Sequence, residues 1–291
     1  MAKLKKQHMT IHWKAIVQDD SSIPATEATL KEKATLVGRI GLMMLSVGTG
    51  AWRVRNSMNK VSRCLGITCT ADIGLLAISY TCIEGTDTYT QSISLPTTGV
   101  NTHKLMELEL FMKEFPDKVS TCSVKHIHEV LDEIQKFPAN YKAWNLGLAS
   151  ALACGAFTFL LGGGPVEMCC AFLGAGVGNF VRKKMLGHSI SLLANVAVSV
   201  AASCLVYVLT ILLAQSLLSV SAVHQAGYIC AMLFVIPGFP LITGGIDLAK
   251  LDLRSGLERV SYALLIILTA TMTGWATAAI CQFQPADFEP L

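Results

Sequence analysis

The chain has 291 residues, of which 52% are hydrophobic and 15% are charged, and its mean hydropathy of +0.52 excludes an ordinary soluble protein. Its net charge of +3 is too small to indicate a nucleic-acid-binding protein, and no basic block interleaved with aromatic residues is present. Seventeen of the 23 Lys and Arg and 14 of the 20 Asp and Glu precede Ala143. We therefore expect a water-soluble N-terminal part followed by a membrane-embedded part.

The first predicted element, after an N-terminal tail at residues 1–30, is one long amphipathic helix. From Leu36 to Leu65 the apolar residues recur every three or four positions, which is the period of one helix face. Its charge-free stretch, residues 40–52, is shorter than the ~20 residues that a membrane span needs. The basic start of the chain is not followed by an apolar run of signal-peptide length, so we expect the N-terminus to stay in the cytoplasm.

A short β region follows this helix. Residues that favour strands are frequent over 68–81, a turn is predicted at 84–87, and apolar and polar residues alternate over 89–95. This pattern predicts two antiparallel strands joined by a tight turn.

Two further helices complete the soluble part. Asn101 or Thr102 is placed to cap the first of them, and the second runs over about 123–137. We therefore predict a cytosolic α+β domain over residues 31–140.

From Ala143 the chain becomes apolar in blocks that are long enough to cross a bilayer. This pattern predicts an integral membrane domain over residues 141–281, an all-α bundle of five transmembrane helices in contact with membrane lipid, and an extracytoplasmic tail at 282–291. The predicted spans lie at about 143–162, 165–181, 188–214, 228–247 and 258–281.

The basic residues of this half predict its orientation, because cytoplasmic loops retain Lys and Arg. This half has six Lys and Arg residues. Three lie between the second and third spans, and three lie between the fourth and fifth spans or at the start of the fifth. The other connections have no Lys or Arg. The N-terminus is thus expected in the cytoplasm and the C-terminus outside a multi-pass protein of the cytoplasmic (inner) membrane. The six residues are Arg182, Lys183, Lys184, Lys250, Arg254 and Arg259.

Small residues predict close packing between the spans. Gly174 and Gly178 have the four-residue spacing that lets two helix backbones approach closely. This spacing indicates a tightly packed bundle and does not by itself indicate transport.

Two prolines and three glycines interrupt the fourth predicted span between Ile236 and Asp247. Proline removes a backbone donor and glycine weakens a helix, so a helix here should be broken or kinked. In lipid such a break is tolerated only where the freed backbone groups face protein or water. Pro237, Gly238 and Pro240 are therefore candidates for lining a solute or ion pathway.

Two polar side chains of the same span are candidates for that pathway. A carboxylate at membrane depth is costly, which singles out Asp247, although Lys250 or Arg254 could neutralise it if it lies near the cytoplasmic end. The hydroxyl of Thr243 could serve a solute or bond back to its own helix.

Asn195 and Glu167 are the other polar candidates. Asn195 lies within the third span, where its amide could bind a substrate or a neighbouring helix. Glu167 lies in the first turn of the second span, where it could be solvated at the membrane interface or line the pathway.

Motifs of enzymes are missing from the sequence. It has no nucleophile elbow, no phosphate-binding loop and no zinc-type His spacing, and His126 and His128 point to different faces of a predicted helix. We read the glycines at 162–164 as a tight turn. We therefore expect no enzymatic activity, no cofactor and no metal.

Several of these segments together resemble the threonine/serine exporter family, including its bacterial succinate-exporter subunit branch. The most distinctive of them is the Pro-Gly-x-Pro motif that starts at Pro237 and continues to Asp247; the others lie at 50–54, 65–66, 99–101 and 255–259. The resemblance extends from about Leu36 to Gly274. The chain departs from the family at Arg55, where the family pattern has an acidic residue.

The resemblance implies a cytosolic N-terminal domain followed by five membrane helices. It also implies the larger subunit of a split transporter, which works with a small second membrane subunit, as a homo-oligomer, or as both. The implied activity is export of a small hydrophilic amino acid, threonine or serine, driven by the proton gradient with Asp247 as the proton-linked group.

Two alternatives to amino-acid export remain open. One is export of a small dicarboxylate such as succinate, which needs cations that the membrane half has only near its predicted cytoplasmic end. The other is a membrane-anchored regulatory domain without transport, against which the broken fourth span counts.

Overall fold

The computed structural model describes residues 13, 23–136, 141–186, 190–218 and 225–283. They form a mostly helical protein with one small sheet. The chain divides into two compact units, Met1–Ala139 with Phe239–Val260 and Asn140–Gly238 with Ser261–Leu291, and each is described by itself.

The first unit begins with two helices where one long amphipathic helix was predicted, so that prediction is wrong. Helix α1 spans Leu30–Ser46 and helix α2 spans Ala51–Cys64. Gly48 has a φ of 88°, a left-handed conformation that ends α1, and the extended Gly50 caps the start of α2. The apolar period continues through this joint, because both helices pack on the same core, and the joint is therefore invisible to a periodicity argument.

The sheet has three antiparallel strands in the order β1-β2-β3, not the two predicted. They are β1 Thr68–Ile73, β2 Ala77–Glu84 and β3 Asp87–Ser94. A turn that is closed by the bond from the Gly74 amide to the Ala77 carbonyl (2.8 Å) splits the first β-favouring run into two strands. The predicted turn between β2 and β3 is confirmed.

The two helices that were predicted after the sheet are present. Helix α3 spans Thr102–Lys118 and begins at Asn101, whose side chain accepts a hydrogen bond from the Lys104 amide (3.1 Å). Helix α4 spans Val124–Lys136. The buried faces of α1 to α4 and of the sheet share one apolar core.

The first unit is completed by residues from the far end of the sequence. Helix α9, Gly238–Ala249, and the start of helix α10, Leu253–Ile280, form a hairpin whose residues 239–260 belong to this unit. Gly244 and Gly256 bring the two helices together, since a Cβ on Gly244 would lie 3.0 Å from the Arg259 Cβ and one on Gly256 would lie 3.0 Å from the Leu248 amide nitrogen.

The second unit is a bundle of helices. It contains α5 Ala143–Leu160, α6 Pro165–Met185, α7 Leu192–Leu218, the short α8 Gln225–Ala231, a 3-10 turn Leu233–Val235 and the remainder of α10. The predicted close packing at small residues is present, because a Cβ on Gly174 would lie 2.8 Å from the Ser203 carbonyl oxygen.

Three of the described helices are long and apolar enough to cross a membrane: α5, residues Leu192–Leu217 of α7, and α10. Residues Gln225–Val235 and Gly238–Ala249 qualify together as a fourth span that is bent by 71° at a break. Large apolar side chains such as Phe159, Leu209 and Trp275 are exposed on these helices, as expected of surfaces that face lipid. The chain is thus a membrane protein with three or four candidate spans, and the count of five stays a prediction.

Candidate functional site

The buried carboxylate of Asp247 is the centre of a polar cluster in the first unit. Asp247 lies in the last turns of α9 and is fully buried, and Arg259, on α10, is only 2% exposed. The Asp247 Oδ2 lies 3.1 Å from the Arg259 Nε and accepts a hydrogen bond from the Ser255 hydroxyl (3.0 Å). Arg259 also donates to the Ser255 Oγ (3.2 Å), one helical turn away.

This hairpin cluster binds the joint between α1 and α2 through backbone groups. The Ala51 amide donates to the Asp247 Oδ2 (3.1 Å), and the Arg259 Nη2 donates to the Thr49 carbonyl (2.8 Å). The carboxylate thus sits at the N-terminus of α2, where amides lack helical partners and the helix dipole favours negative charge. A Cβ on Gly50 would lie 3.0 Å from the Asp247 Oδ1. We call Asp247, Ser255, Arg259 and the 49–51 backbone the Asp247 cluster.

The two oxygens of the Asp247 carboxylate differ in their partners. Oδ2 accepts two hydrogen bonds and forms the ion pair with Arg259, whereas Oδ1 is buried and has no hydrogen-bond partner within the described ranges. A buried oxygen without a donor is costly, so Oδ1 is an acceptor for a donor that the described residues do not supply.

The partner of Asp247 differs from the one that the sequence predicted, which was Lys250 or Arg254. Lys250 lies over the Trp52 ring, 3.9 Å from its centroid, and Arg254 forms ion pairs with Asp72 and Glu258. The chain reverses direction between α9 and α10, and this reversal returns the more distant Arg259 to the side of Asp247.

A second set of contacts connects the same hairpin to α2 and the sheet. Arg55 donates to both carboxylate oxygens of Asp252 (2.6 and 2.8 Å), and this hydrogen bonding lowers the pKa of Asp252. The Glu258 carboxylate accepts from the Leu75 amide (2.6 Å). Arg55, which departs from the family pattern, therefore has an acidic partner on the hairpin.

The helix break that was predicted from the prolines is present. The 3-10 turn Leu233–Val235 precedes it, and the Gly238 amide donates to the Ile236 carbonyl (2.9 Å). Pro237 lies between the turn and α9, and Pro240 lies in the first turn of α9. The carbonyls four residues before Pro237 and Pro240 accept from other amides instead, Leu233 from Ile236 (3.1 Å) and Ile236 from Gly238, so the helix turns at this point.

Thr243, Glu167 and Asn195 make local contacts. Thr243 donates to the Phe239 carbonyl of its own helix (2.9 Å). Glu167 is 2% exposed, not solvated, and accepts from the Gly164 amide (2.7 Å) at the start of α6. Asn195 is 2% exposed and its Nδ2 donates to the Arg182 carbonyl (3.2 Å).

The sequence candidates divide between the two units. Pro240, Thr243 and Asp247 belong to the first unit, whereas Pro237, Gly238, Asn195 and Glu167 belong to the second. Within the described part of the chain, no group of three or more His, Cys, Asp or Glu could hold a metal ion.

The partners of Asp247 that come from distant segments were not predicted from the sequence. Ser255 and Arg259 are one helical turn apart on one face of α10, which is a visible signal. Their link to Asp247 depends on the reversal at the hairpin, and the link to Thr49 depends on a contact 210 positions away, so neither is visible in local spacing.

The chain is similar in sequence to proteins that are named as exporters or transporters. A family model described as "Putative threonine/serine exporter" matches residues 35–281. A Klebsiella aerogenes protein named "Probable succinate transporter subunit YjjP" is 25% identical over 236 residues, which cover 80% of this chain and 87% of that protein. The protein of the same name from Escherichia coli K12 is 24% identical over 237 residues, 80% of this chain and 88% of that protein. No solved structure matches the chain.

Proposed function

Because the chain belongs to the threonine/serine exporter family, we propose that it is one subunit of a secondary exporter of the cytoplasmic membrane. This exporter moves a small hydrophilic amino acid, threonine or serine, out of the cell. The family and the names of the relatives indicate a transporter rather than an enzyme.

The observation that carries this proposal is the break between α8 and α9. Pro237 and Pro240 interrupt a pair of helices that together have the length and composition of a span. Carbonyls and amides freed in such a segment bind small polar solutes or ions in secondary transporters. A helix that serves only as an anchor gains nothing from a break, so the break counts against a purely regulatory domain.

A dicarboxylate such as succinate is the second candidate substrate. The names of both relatives favour it, since each is called a succinate transporter subunit. The amino acid remains first, because a zwitterion needs only modest polar groups whereas a dianion needs several cations. In the described part of the chain, Arg259 and Arg55 are already paired with carboxylates.

The Asp247 cluster supplies a physical basis for coupling. The sequence has no ATP-binding loop, so an ion or substrate gradient has to drive the flux. We propose that the Asp247 carboxylate is the proton-linked group, because it is buried and its contacts join the α9–α10 hairpin to the α1–α2 joint. Protonation of Asp247 would weaken its ion pair with Arg259 and its hydrogen bond from the Ala51 amide at the N-terminus of α2. The α9–α10 hairpin would then separate from the α1–α2 joint.

We further propose that the chain works with a second, small membrane subunit, in line with the word subunit in the names of its relatives. A homo-oligomer is compatible with this arrangement. Five spans, a cytoplasmic N-terminus and an outside C-terminus remain part of the proposal.

The direct experiment is a flux measurement in membrane vesicles. Labelled threonine, serine and succinate are followed with this chain alone and together with the second subunit, with and without an imposed pH gradient. The proposal expects threonine or serine flux that depends on the gradient and on the second subunit. Absence of flux for all three solutes in both preparations would end the exporter proposal.

A further inference from the structure

Two cysteines lie directly opposite each other on neighbouring strands of the sheet. Cys69 on β1 is paired with Cys82 on β2 in the antiparallel register. Both are free thiols, and both side chains belong to the apolar core of the first unit. Residues that are directly opposite in an antiparallel pair project from the same face of the sheet, so the two thiols are neighbours.

The hydrogen bonds of the β1–β2 hairpin show which kind of pair the two cysteines form. The Gly74 amide donates to the Ala77 carbonyl (2.8 Å), so these two residues are a hydrogen-bonded pair. Hydrogen-bonded and non-hydrogen-bonded pairs alternate along an antiparallel ladder. Cys69 and Cys82 are the fifth pair along the register from Gly74 and Ala77, and they are therefore a non-hydrogen-bonded pair. The Cα atoms of such a pair are about 4.5 Å apart, within the range of about 4.4–6.8 Å that a disulfide bridges.

The two thiols interact through a hydrogen bond that makes them chemically unequal. This hydrogen bond lowers the pKa of Cys69 and raises the pKa of Cys82. Cys69 is 8% exposed and lies on an edge strand of the sheet, whereas Cys82 is fully buried on the central strand. Cys69 is therefore the thiol that a reagent reaches first and the one that more readily becomes the reactive thiolate.

We propose that Cys69 and Cys82 are a modification site, at which a small-molecule disulfide such as oxidised glutathione converts the two thiols into a reversible intramolecular disulfide. The Cys69 thiolate attacks one sulfur of the reagent and forms a mixed disulfide, and the departing thiolate takes up the proton that Cys69 has lost. The Cys82 sulfur then attacks the Cys69 sulfur, and the second reagent thiol leaves with the proton of Cys82. The protein is thus oxidised by two electrons, and the reagent disulfide is reduced to two thiols.

The strand that carries Cys69 also contacts the α9–α10 hairpin. Asp72, on β1, is paired with Arg254, and the Leu75 amide in the following turn donates to the Glu258 carboxylate (2.6 Å). A covalent link between β1 and β2 would restrain the strand that makes these contacts. Oxidation should therefore slow the local opening of β1, which amide hydrogen exchange measures.

Exposure of the purified full chain to oxidised glutathione in lipid nanodiscs tests the pair without any mutation. The remaining thiols are alkylated under denaturing conditions before digestion. Cleavage at Asp72 then separates the two cysteines, so a disulfide between them joins two peptides in the mass spectrum. We expect this joined pair of peptides in the oxidised sample and its loss after treatment with dithiothreitol. Alkylated Cys69 and Cys82 in the oxidised sample would overturn the proposal.

Serine variants identify which cysteines react. Cys82→Ser should stop at the mixed disulfide on Cys69, because no second thiol is present to displace the reagent. Cys69→Ser should leave Cys82 unmodified, since that thiol is buried and its pKa is raised. Cys64 lies on the same peptide as Cys69 after cleavage at Asp72, so Cys64→Ser is the matched control and should still form the link. Loss of the link in Cys64→Ser, or a link to Cys82 that persists in Cys69→Ser, would overturn the assignment.

Hydrogen exchange of the oxidised and reduced wild type tests the restraint. The amides of β1 should exchange more slowly in the oxidised chain, and equal exchange in the two forms would show that the link does not restrain the strand. Neither the mass spectrum nor the exchange rate involves transport, so both results are independent of the proposed exporter function.

Discussion

The Asp247 Oδ2 accepts hydrogen bonds from the Ala51 amide and the Ser255 hydroxyl and forms an ion pair with Arg259. The Arg259 guanidinium also donates to the Thr49 carbonyl. Both side chains are almost fully buried, so removal of either one would leave the other as an uncompensated buried charge. A change at either residue therefore has two consequences, one for stability and one for any coupling role, and the experiment has to separate them.

Asp247→Asn is expected to abolish or uncouple export and to lower the free energy of unfolding by about 3–5 kcal/mol, because it leaves the Arg259 guanidinium buried without its anion. Flux in vesicles and thermal unfolding of the purified chain measure the two effects.

The double variant Asp247→Asn with Arg259→Gln separates them. It removes the pair together, so it should be less destabilised than the sum of the single changes while export stays absent. If export by Asp247→Asn has the same rate and the same pH dependence as export by the wild type, this carboxylate is excluded from the mechanism.

A second buried polar cluster lies between α1 and α4. Arg39 donates to the His128 Nδ1 and to its carbonyl (both 2.9 Å) and is paired with Asp132. Burial, together with the charge of Arg39, lowers the pKa of His128 from 6.5 to about 3. The imidazole is therefore neutral in the folded protein, and its Nδ1 accepts a hydrogen bond from Arg39.

This depressed pKa makes stability depend on pH. Below pH 6.5 the unfolded chain binds a proton at His128 that the folded chain rejects, so stability is lost as pH falls from 6.5 toward about 3. Between pH 7.5 and 5.5 we expect the wild type to lose about 1.4 kcal/mol through this residue.

His128→Asn keeps an acceptor for Arg39 without the titrating group, so it should abolish that part of the pH dependence. Denaturant unfolding of the full chain at both pH values measures it. An equal loss in the wild type and in His128→Asn would show that the pH dependence has another source.

At the scale of elements, the hairpin of α9 and α10 depends on glycine where the helices touch. A Cβ on Gly244 would lie 3.0 Å from the Arg259 Cβ and 3.2 Å from the Gly256 carbonyl oxygen. Its neighbour Gly245 has no atom within 4 Å of such a Cβ and is a matched control on the same helix.

Gly244→Ala should therefore push α9 away from α10, lower stability by about 1–3 kcal/mol and reduce export, because the displacement disrupts the pairing of Asp247 with Arg259. Gly245→Ala should be neutral or stabilising, since alanine favours a helix more than glycine does. Thermal unfolding and flux of the two variants give the comparison. Equal behaviour of the two variants would contradict the close contact.

The sequence predicted the elements whose signals are local. Asn101 marks the start of α3, and the prolines mark the break before α9, because capping and helix breaking act within one turn. The joint at Gly48 and the turn at Gly74 were missed because apolar and β-favouring patterns continue through both. Of the candidate site residues, Asp247 was visible as a carboxylate in an apolar run, but its partners are set by tertiary contacts.

At the scale of the whole molecule, the orientation in the membrane is a prediction with its own test. A single cysteine placed in the tail after Phe283, in a variant without the ten native cysteines, should react in intact cells with a thiol reagent that does not cross membranes. A cysteine at position 183 should be protected in the same cells. Protection of the tail cysteine would overturn the orientation.

The central claim is that the break at Pro237 and Pro240 forms part of a transport pathway. The sharpest measurement is threonine and succinate flux, in vesicles that contain the second subunit, for the double variant Pro237→Ala with Pro240→Ala. Alanine restores the backbone donors and allows a continuous helix. Pro165→Ala is the control, because proline at the first position of α6 replaces no helical hydrogen bond.

Flux of the double variant is expected to fall to background at an unchanged protein level in the membrane, while Pro165→Ala transports like the wild type. Wild-type flux in the double variant would show that the break is not part of the transport pathway.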